Sequence, residues 1–371
     1  MADILRNEEK ILFALRELYA QYGYQHFKMN RFEEYDLYVR NKDFLLSDQI
    51  ITFSDRSGRL LAMKPDVTLS IIKNIQDKPG AVQKLYYNEN VYRMDKGAQG
   101  YKEIMQAGLE CVGDVGLFDT TEVVLLAAKS LQAMTLPFVL DISHIGFINA
   151  VLDAGCFSKD IRSDILLLLH QKNEHEMRQL CKRCNVDQGI EQLLCALIST
   201  SGNPMYVISV LEPLLFTKEQ QDELLLLRSV CDTLIKNGFE ASVNIDFSTG
   251  SQMKYYSGIV FCGYLQGVPN SVLSGGQYDS LLRRMGKRSN AVGFAIYLDQ
   301  LQRVWKNAND YDVDIVLLYD KSIDYGIIAD VANELRQNAT VRVATAIPED
   351  ITFDKIMRIQ QGKAVLVDEY S

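Results

Sequence analysis

Lys84–Gly113 reads KLYYNENVYRMDKGAQGYKEIMQAGLECVG. Two runs, KLYYNENVYR and IMQAGLECVG, flank the polar segment MDKGAQG. Aromatic and β-branched residues suit extended backbone, while glycine among polar residues suits a reversal. The stretch therefore predicts strands across residues 83–113. The sheet that holds them sets the class of the fold.

Upstream, residues 7–22 carry Ile11, Leu15, Leu18 and Tyr22 at helical spacing, with Gly23 placed to end the helix. ITFSDRSGRLLAM predicts a hairpin across Asp55–Gly58. Downstream, Asp119 and Glu122 form a capping box for a helix over 120–133, and FVLDISH returns to strand. From about 157 to 238 leucine-rich helical stretches dominate, which reads as an insertion into a mainly antiparallel sheet. The sheet resumes at ASVNID, YYSGIVFCGY and VPNSVLSGGQYD. After Asn307 the pattern is strand–helix–strand–helix–strand: VDIVLLYD, a helix near 323–337, TVRVAT, a helix near 351–360, and AVLVD. The expected class is α+β, an antiparallel sheet with flanking helices over residues 1–308 and a small α/β domain over 309–371.

The length of 371 residues allows a large core and two or three domains. Hydrophobic residues make up 47%, as in ordinary globular proteins. No apolar run approaches the roughly 20 residues of a membrane span, and MADILRNEEK has no apolar signal-peptide stretch. Seven scattered cysteines, an odd number, do not make a disulfide framework. A cytoplasmic location is the expectation. The net charge of −9 argues against a protein whose main task is gripping phosphate backbones.

Isolated motifs are weak. CKRC at Cys181–Cys184 lacks a second pair at zinc-site spacing, and it lies in a helical pattern where one cysteine would face the protein core. The four histidines, His26, His144, His170 and His175, include no HxxxH pair, and His144 suits a packed, hydrogen-bonded position after a strand. No metal or cofactor is expected. LSGGQYDSL sets two glycines before a helix-like run, which is more often a tight turn than a phosphate cradle.

Four segments in order, LLAMKPDVTLSI, the opening stretch, YYSGIVF and SGGQYDSLL…SNAVGFAIYLDQL, resemble the class II aminoacyl-tRNA synthetase core, specifically histidyl-tRNA synthetase and its paralogue. The similarity spans roughly residues 5–305, and the tail resembles part of an anticodon-binding domain. The resemblance implies an amino-acid pocket. In the family an acid and a threonine of a Pro-Glu-Gly-Thr segment meet the ammonium group of histidine. KPDVT places Asp66 and Thr68 there, with Asp in place of Glu. The family's glutamine and glutamate fall on Gln106 and Glu110, and its paired imidazole-side tyrosines on Tyr255 and Tyr256. Arg93, the family's first-motif arginine, is kept and is counted with this pocket.

ATP activation needs cations for the developing phosphate charge and a platform for adenine. The resemblance implies that, apart from the kept Arg93, these are gone. SQMKYYSG puts Ser251 at the arginine of the family's R-G-L-D-Y-Y-T-G segment, and Lys254 stands three positions on. Gln300 replaces the arginine of the helix that follows the last core strand, and Ile104 replaces the aromatic that stacks on adenine. Residues 311–371 hold six Lys/Arg against eleven Asp/Glu, a poor surface for an anticodon.

A synthetase-like chain that holds histidine without activating it resembles the regulatory subunits of ATP phosphoribosyltransferase. That resemblance implies no catalysis by this chain and a short-form catalytic subunit as partner. It also implies histidine as inhibitory effector, a homodimer inside a larger assembly, and no tRNA or membrane. Most members of that family lack the C-terminal α/β domain, so a divergent histidyl-tRNA synthetase stays open as the alternative.

Overall fold

Helix α1 (Asn7–Gln21) buries Ile11, Leu15 and Tyr19, one residue per turn along one stripe. Gly23 then takes φ +79°, which reverses the chain at little steric cost. The structure, a computed structural model, describes residues 7–45, 50–78, 80–95, 100–250, 255–301 and 311–369. The chain forms two compact units, one spanning Ile11–Leu301 and one containing the segment after residue 310.

In the first unit, β1 (Gln25–His26) leads to β2 (Phe32–Glu34), α2 (Tyr35–Val39), β3 (Thr52–Ser54) and β4 (Leu60–Met63). The last two form the predicted hairpin. The Asp55 carboxylate accepts from the Ser57 and Arg59 amides, and Gly58 lies at φ +82°. Strands β2, β4 and β3 make a small sheet of their own. Helix α3 (Thr68–Asn74) is buried along Leu69, Ile71 and Ile72.

Strands β5 (Val82–Asp95) and β6 (Gly100–Gly113) pair antiparallel from Val82 opposite Gly113 to Asp95 opposite Gly100. The opening stretch is thus one long hairpin. Helix α4 (Leu117–Gln132) starts earlier than expected. The Gly116 amide donates to Asp119 at 3.0 Å, so Asp119 serves the third helical position rather than the cap, and Glu122 pairs with Lys84 instead.

Strand β7 (Phe138–His144) and α5 (Ile145–Ala154) precede five further helices: α6 (Lys159–His170), α7 (Glu174–Arg183), α8 (Gln188–Ser199), α9 (Pro204–Leu211) and α10 (Lys218–Lys236). The unit closes with β8 (Val243–Ile245), β9 (Ile259–Leu265), β10 (Leu273–Gln277), α11 (Asp279–Arg284) and β11 (Asn290–Tyr297). The eight-stranded sheet runs β1-β5-β6-β11-β10-β9-β7-β8. On one face, Tyr19 of α1 meets Phe294 of β11 edge-on at 6.2 Å and shares a 3.0 Å hydrogen bond with Ser130 of α4. The opposite face is left to the site. Gly275 and Gly276 lie inside β10 rather than in a turn.

The second unit is β12 (Val313–Leu318), α12 (Tyr325–Arg336), β13 (Val341–Ala344), β14 (Phe353–Gln360) and β15 (Lys363–Glu369), in sheet order β13-β12-β14-β15. The helix expected over 351–360 is instead strand β14. Ile356 and Phe353 belong to one apolar cluster, while Met357 and Ile359 face α12 in another. A strand covered on both faces loses its alternation, and Phe353, Ile356 and Met357 then mimic helical spacing.

Candidate functional site

Strand β6 lies between β5 and β11, and its alternate residues Gln106, Gly108 and Glu110 share one face. Glu110 stands opposite Gly293 on β11, and Gln106 opposite Tyr297. Gln106 and Glu110 are each 2% exposed.

The KPDVT segment supplies the facing wall. The Asp66 carboxylate accepts from the Leu69 amide at 2.9 Å, holding the start of α3. Thr68 Oγ1 donates to Glu110 Oε1 at 2.6 Å, and Arg93 Nε donates to the Pro65 carbonyl at 2.8 Å. Helix α3 and strand β5 are thereby fixed to the strand that carries Glu110. Across the cavity the Tyr255 and Tyr256 rings lie 4.4 Å apart, and Phe44 meets Tyr255 edge-on at 4.7 Å.

These parts enclose a cavity of about 220 Å³. Asp66, Thr68, Arg93, Gln106, Glu110, Tyr255 and Tyr256 all line it. Sequence reasoning missed Tyr278 and Tyr297, which line it too. The Tyr278 hydroxyl donates to Glu110 Oε2, so Glu110 is held from both sides. Tyr278 was within reach of sequence reading, since it stands in the quoted segment SGGQYDSLL. The two glycines of that segment act as strand residues that make room. A Cβ at Gly276 would come within 2.9 Å of the Tyr256 ring.

Burial pushes the Glu110 carboxyl up to about 8, against the pull of its Thr68 and Tyr278 hydrogen bonds. Asp66 is also raised by burial, with its backbone hydrogen bonds and the Arg93 guanidinium opposing. Burial thus favours the neutral form of both carboxyls beside one guanidinium, and a cationic ligand would favour their ionised forms. Gln106 Nε2 is buried with no hydrogen-bond partner among the described residues. A buried donor left unpaired is costly, and a ligand acceptor would relieve it.

Neither Ile104 nor Gln300 is among the residues that line the cavity, although Ile104 lies two positions before Gln106 on the same face of β6. Ile104 is half-buried and packs against the apolar cluster that contains Tyr87 and Val91. Gln300 Nε2 donates to Asp299 at 3.2 Å. Ser251 and Lys254 lie outside the described residues. His144 is a helix cap: its Nδ1 accepts from the Phe147 amide at 3.1 Å, and its Nε2 lies 3.3 Å from Glu223. Burial lowers it to about 4. Cys181 is buried in α7 and Cys184 half-buried. No cluster of three or more potential metal ligands occurs among the described residues, and no helix there is long and apolar enough to cross a membrane.

The family model described as histidyl-tRNA synthetase matches residues 3–301. Similar curated proteins include two named ATP phosphoribosyltransferase regulatory subunit. The one from Alkaliphilus metalliredigens is 27% identical over 78% of this chain and 74% of its own length. The one from Clostridium acetobutylicum is 26% identical over 99% of this chain and 94% of its own. Among solved structures, an ATP phosphoribosyltransferase regulatory subunit/histidyl-tRNA synthetase from Bacillus halodurans superposes with a TM-score of 0.76 at 24% identity, covering 96% of both chains. A chain of the ATP phosphoribosyl transferase (HisG:HisZ) complex from Thermotoga maritima gives 0.61 at 22% identity, covering 80% of this chain and 98% of that one. The architecture is the class II synthetase-like sheet. Every residue of the cavity lies within the span that the family model matches, and the chain belongs to the histidyl-tRNA synthetase family.

Proposed function

We propose that this chain is a regulatory subunit of ATP phosphoribosyltransferase, catalytically silent, which holds histidine in the cavity between β6 and α3. The observation that carries the reading is an asymmetry. All seven residues expected of a histidine pocket line one cavity. At the positions that the resemblance assigns to the nucleotide, Ile104 is a half-buried aliphatic side chain and Gln300 donates to a neighbouring carboxylate. Asp66 answers the ammonium group, Glu110 and the tyrosine pair the imidazole, and Gln106 Nε2 offers a hydrogen bond that no other described residue takes up. The names of the similar curated proteins support the same role.

The role requires a partner. A short-form catalytic subunit should co-elute with this chain, and the mixture should turn over faster than the catalytic subunit alone. Added histidine should then inhibit the mixture. Separate elution with unchanged rates would overturn the assignment.

A divergent histidyl-tRNA synthetase is the second reading, favoured by Arg93, whose guanidinium remains on the cavity wall. Pyrophosphate exchange separates the two.

A further inference from the structure

Lys64 is 1% exposed, and lysine is almost never buried so deeply unless it is paired. Its ammonium donates to the Glu89 carboxylate, itself mostly buried. Neither residue is among those that line the cavity. Lys64 does not need its charge to hold the KPDVT segment. Its amide donates to the Arg31 carbonyl at 3.3 Å, its carbonyl accepts from the Tyr92 amide at 2.9 Å, and Arg93 holds the next residue, Pro65. A buried ion pair is also a weak source of stability, because desolvation offsets much of the attraction. The ammonium calls for another account.

Glu89 supplies it. It stands directly opposite Gln106 across β5 and β6, so the two side chains leave the same face of the sheet. Opposite residues of an antiparallel pair have Cβ atoms about 5 Å apart, within reach of two side chains of this length. A carboxylate there would be a strong acceptor for the Gln106 amide. Yet Gln106 Nε2 is buried and has no partner among the described residues. The Glu89 carboxylate is turned to Lys64 through Oε2, and the Met29 amide lies 3.5 Å from Oε1.

We propose that Lys64 is a positioning residue of the histidine cavity: by holding Glu89 it keeps the Gln106 amide free for the ligand. This role rests on the histidine reading. Without the ammonium, Glu89 turns to Gln106, and histidine must compete with an acceptor inside the fold.

Calorimetric titration of L-histidine into the full chain tests it. Lys64→Met should weaken histidine about ten-fold, the worth of roughly one hydrogen bond. Adding Glu89→Leu removes the competing acceptor and should recover the parent affinity. Lys64→Arg keeps the cation and should change little. Gln106→Leu decides between positioning and mere structure. It should cost affinity in the parent chain but little more on top of Lys64→Met, where the amide is already taken. A KPDVT segment simply displaced by the loss of Lys64 would leave Gln106 its full factor. Circular dichroism checks that each variant folds, and Lys64→Gln replaces Lys64→Met if that chain does not. Unchanged affinity in Lys64→Met overturns the proposal alone. So does a loss that Glu89→Leu fails to recover, or full additivity with Gln106→Leu. A parent chain that binds no histidine overturns the histidine reading as well.

Discussion

Glu110 and Gly293 stand directly opposite each other on β6 and β11, and the Glu110 carboxylate occupies the place where a side chain at 293 would begin. Glycine here is a matter of space. The same Cβ would lie 2.5 Å from the Leu109 carbonyl, which cannot swing away. Gly293→Ala should therefore displace Glu110 and cost about 1–3 kcal/mol of stability, the usual range for overpacking. Urea unfolding measures the loss, and a midpoint equal to that of the parent chain would show that Glu110 has room to move.

The pH dependence of stability follows from the same carboxyl. Burial raises it to about 8 from an ordinary 4.5, so the folded chain holds this proton more tightly than the unfolded one. Its contribution is fully present below the unfolded value and is lost as pH rises through the folded one. Between those limits Glu110 removes up to about 1.4 kcal/mol per pH unit. His144 works in the opposite sense over a lower range: it is neutral when folded, and its contribution falls as pH drops from 6.5 towards 4. Comparing the parent chain with Glu110→Gln isolates the carboxyl. The two stability curves should diverge with rising pH, and parallel curves would sink the argument.

Much of this site was legible in the sequence because one strand carries its spacing. Gln106 and Glu110 are four residues apart on β6, and the alternation of a strand sends both to one face. Asp66 and Thr68 were legible as part of a short motif. Tyr278 was harder, since its bond to Glu110 spans 168 residues of sequence and depends on how α11 follows β10. In the tail, the strand at 353–360 hid because apolar residues serve two faces at once. The helix start at Leu117 was misplaced because an acid that reaches back to a cap looks, in sequence, like the cap itself.

Histidine-dependent exchange of pyrophosphate into ATP should be absent. Charge on the α-phosphate must be met by placed cations, and losing one such contact costs roughly 10² to 10³ in rate. Position 300 offers an amide, already bonded to Asp299, where the family has an arginine. Position 104 offers an aliphatic side chain where the family stacks an aromatic on adenine. The losses fall on different parts of the nucleotide, so they should compound. Exchange at an ordinary synthetase rate would favour the second reading over the first.

Histidine affinity should depend on the charge of Glu110 more than on its shape. Glu110→Gln keeps the size, and the hydroxyls of Thr68 and Tyr278 can turn to suit an amide. What is lost is a carboxylate facing the ligand, worth about 1.5–3 kcal/mol, or roughly ten- to a hundred-fold in affinity. The size of the loss should itself vary with pH. Below about 8 the empty cavity holds Glu110 mostly protonated, so ionising it for a cationic imidazole offsets part of the gain. Above that value the carboxylate is already charged, but fewer imidazoles arrive as cations. The mutant should therefore differ most from the parent at intermediate pH, where one proton can serve both partners. Activation of a catalytic partner should survive the substitution, because Glu110 is buried inside the sheet unit. Titrating histidine against the reconstituted mutant complex reads both properties together. An inhibition curve identical to that of the parent would mean that the effector binds elsewhere, and that the cavity is an inherited shape.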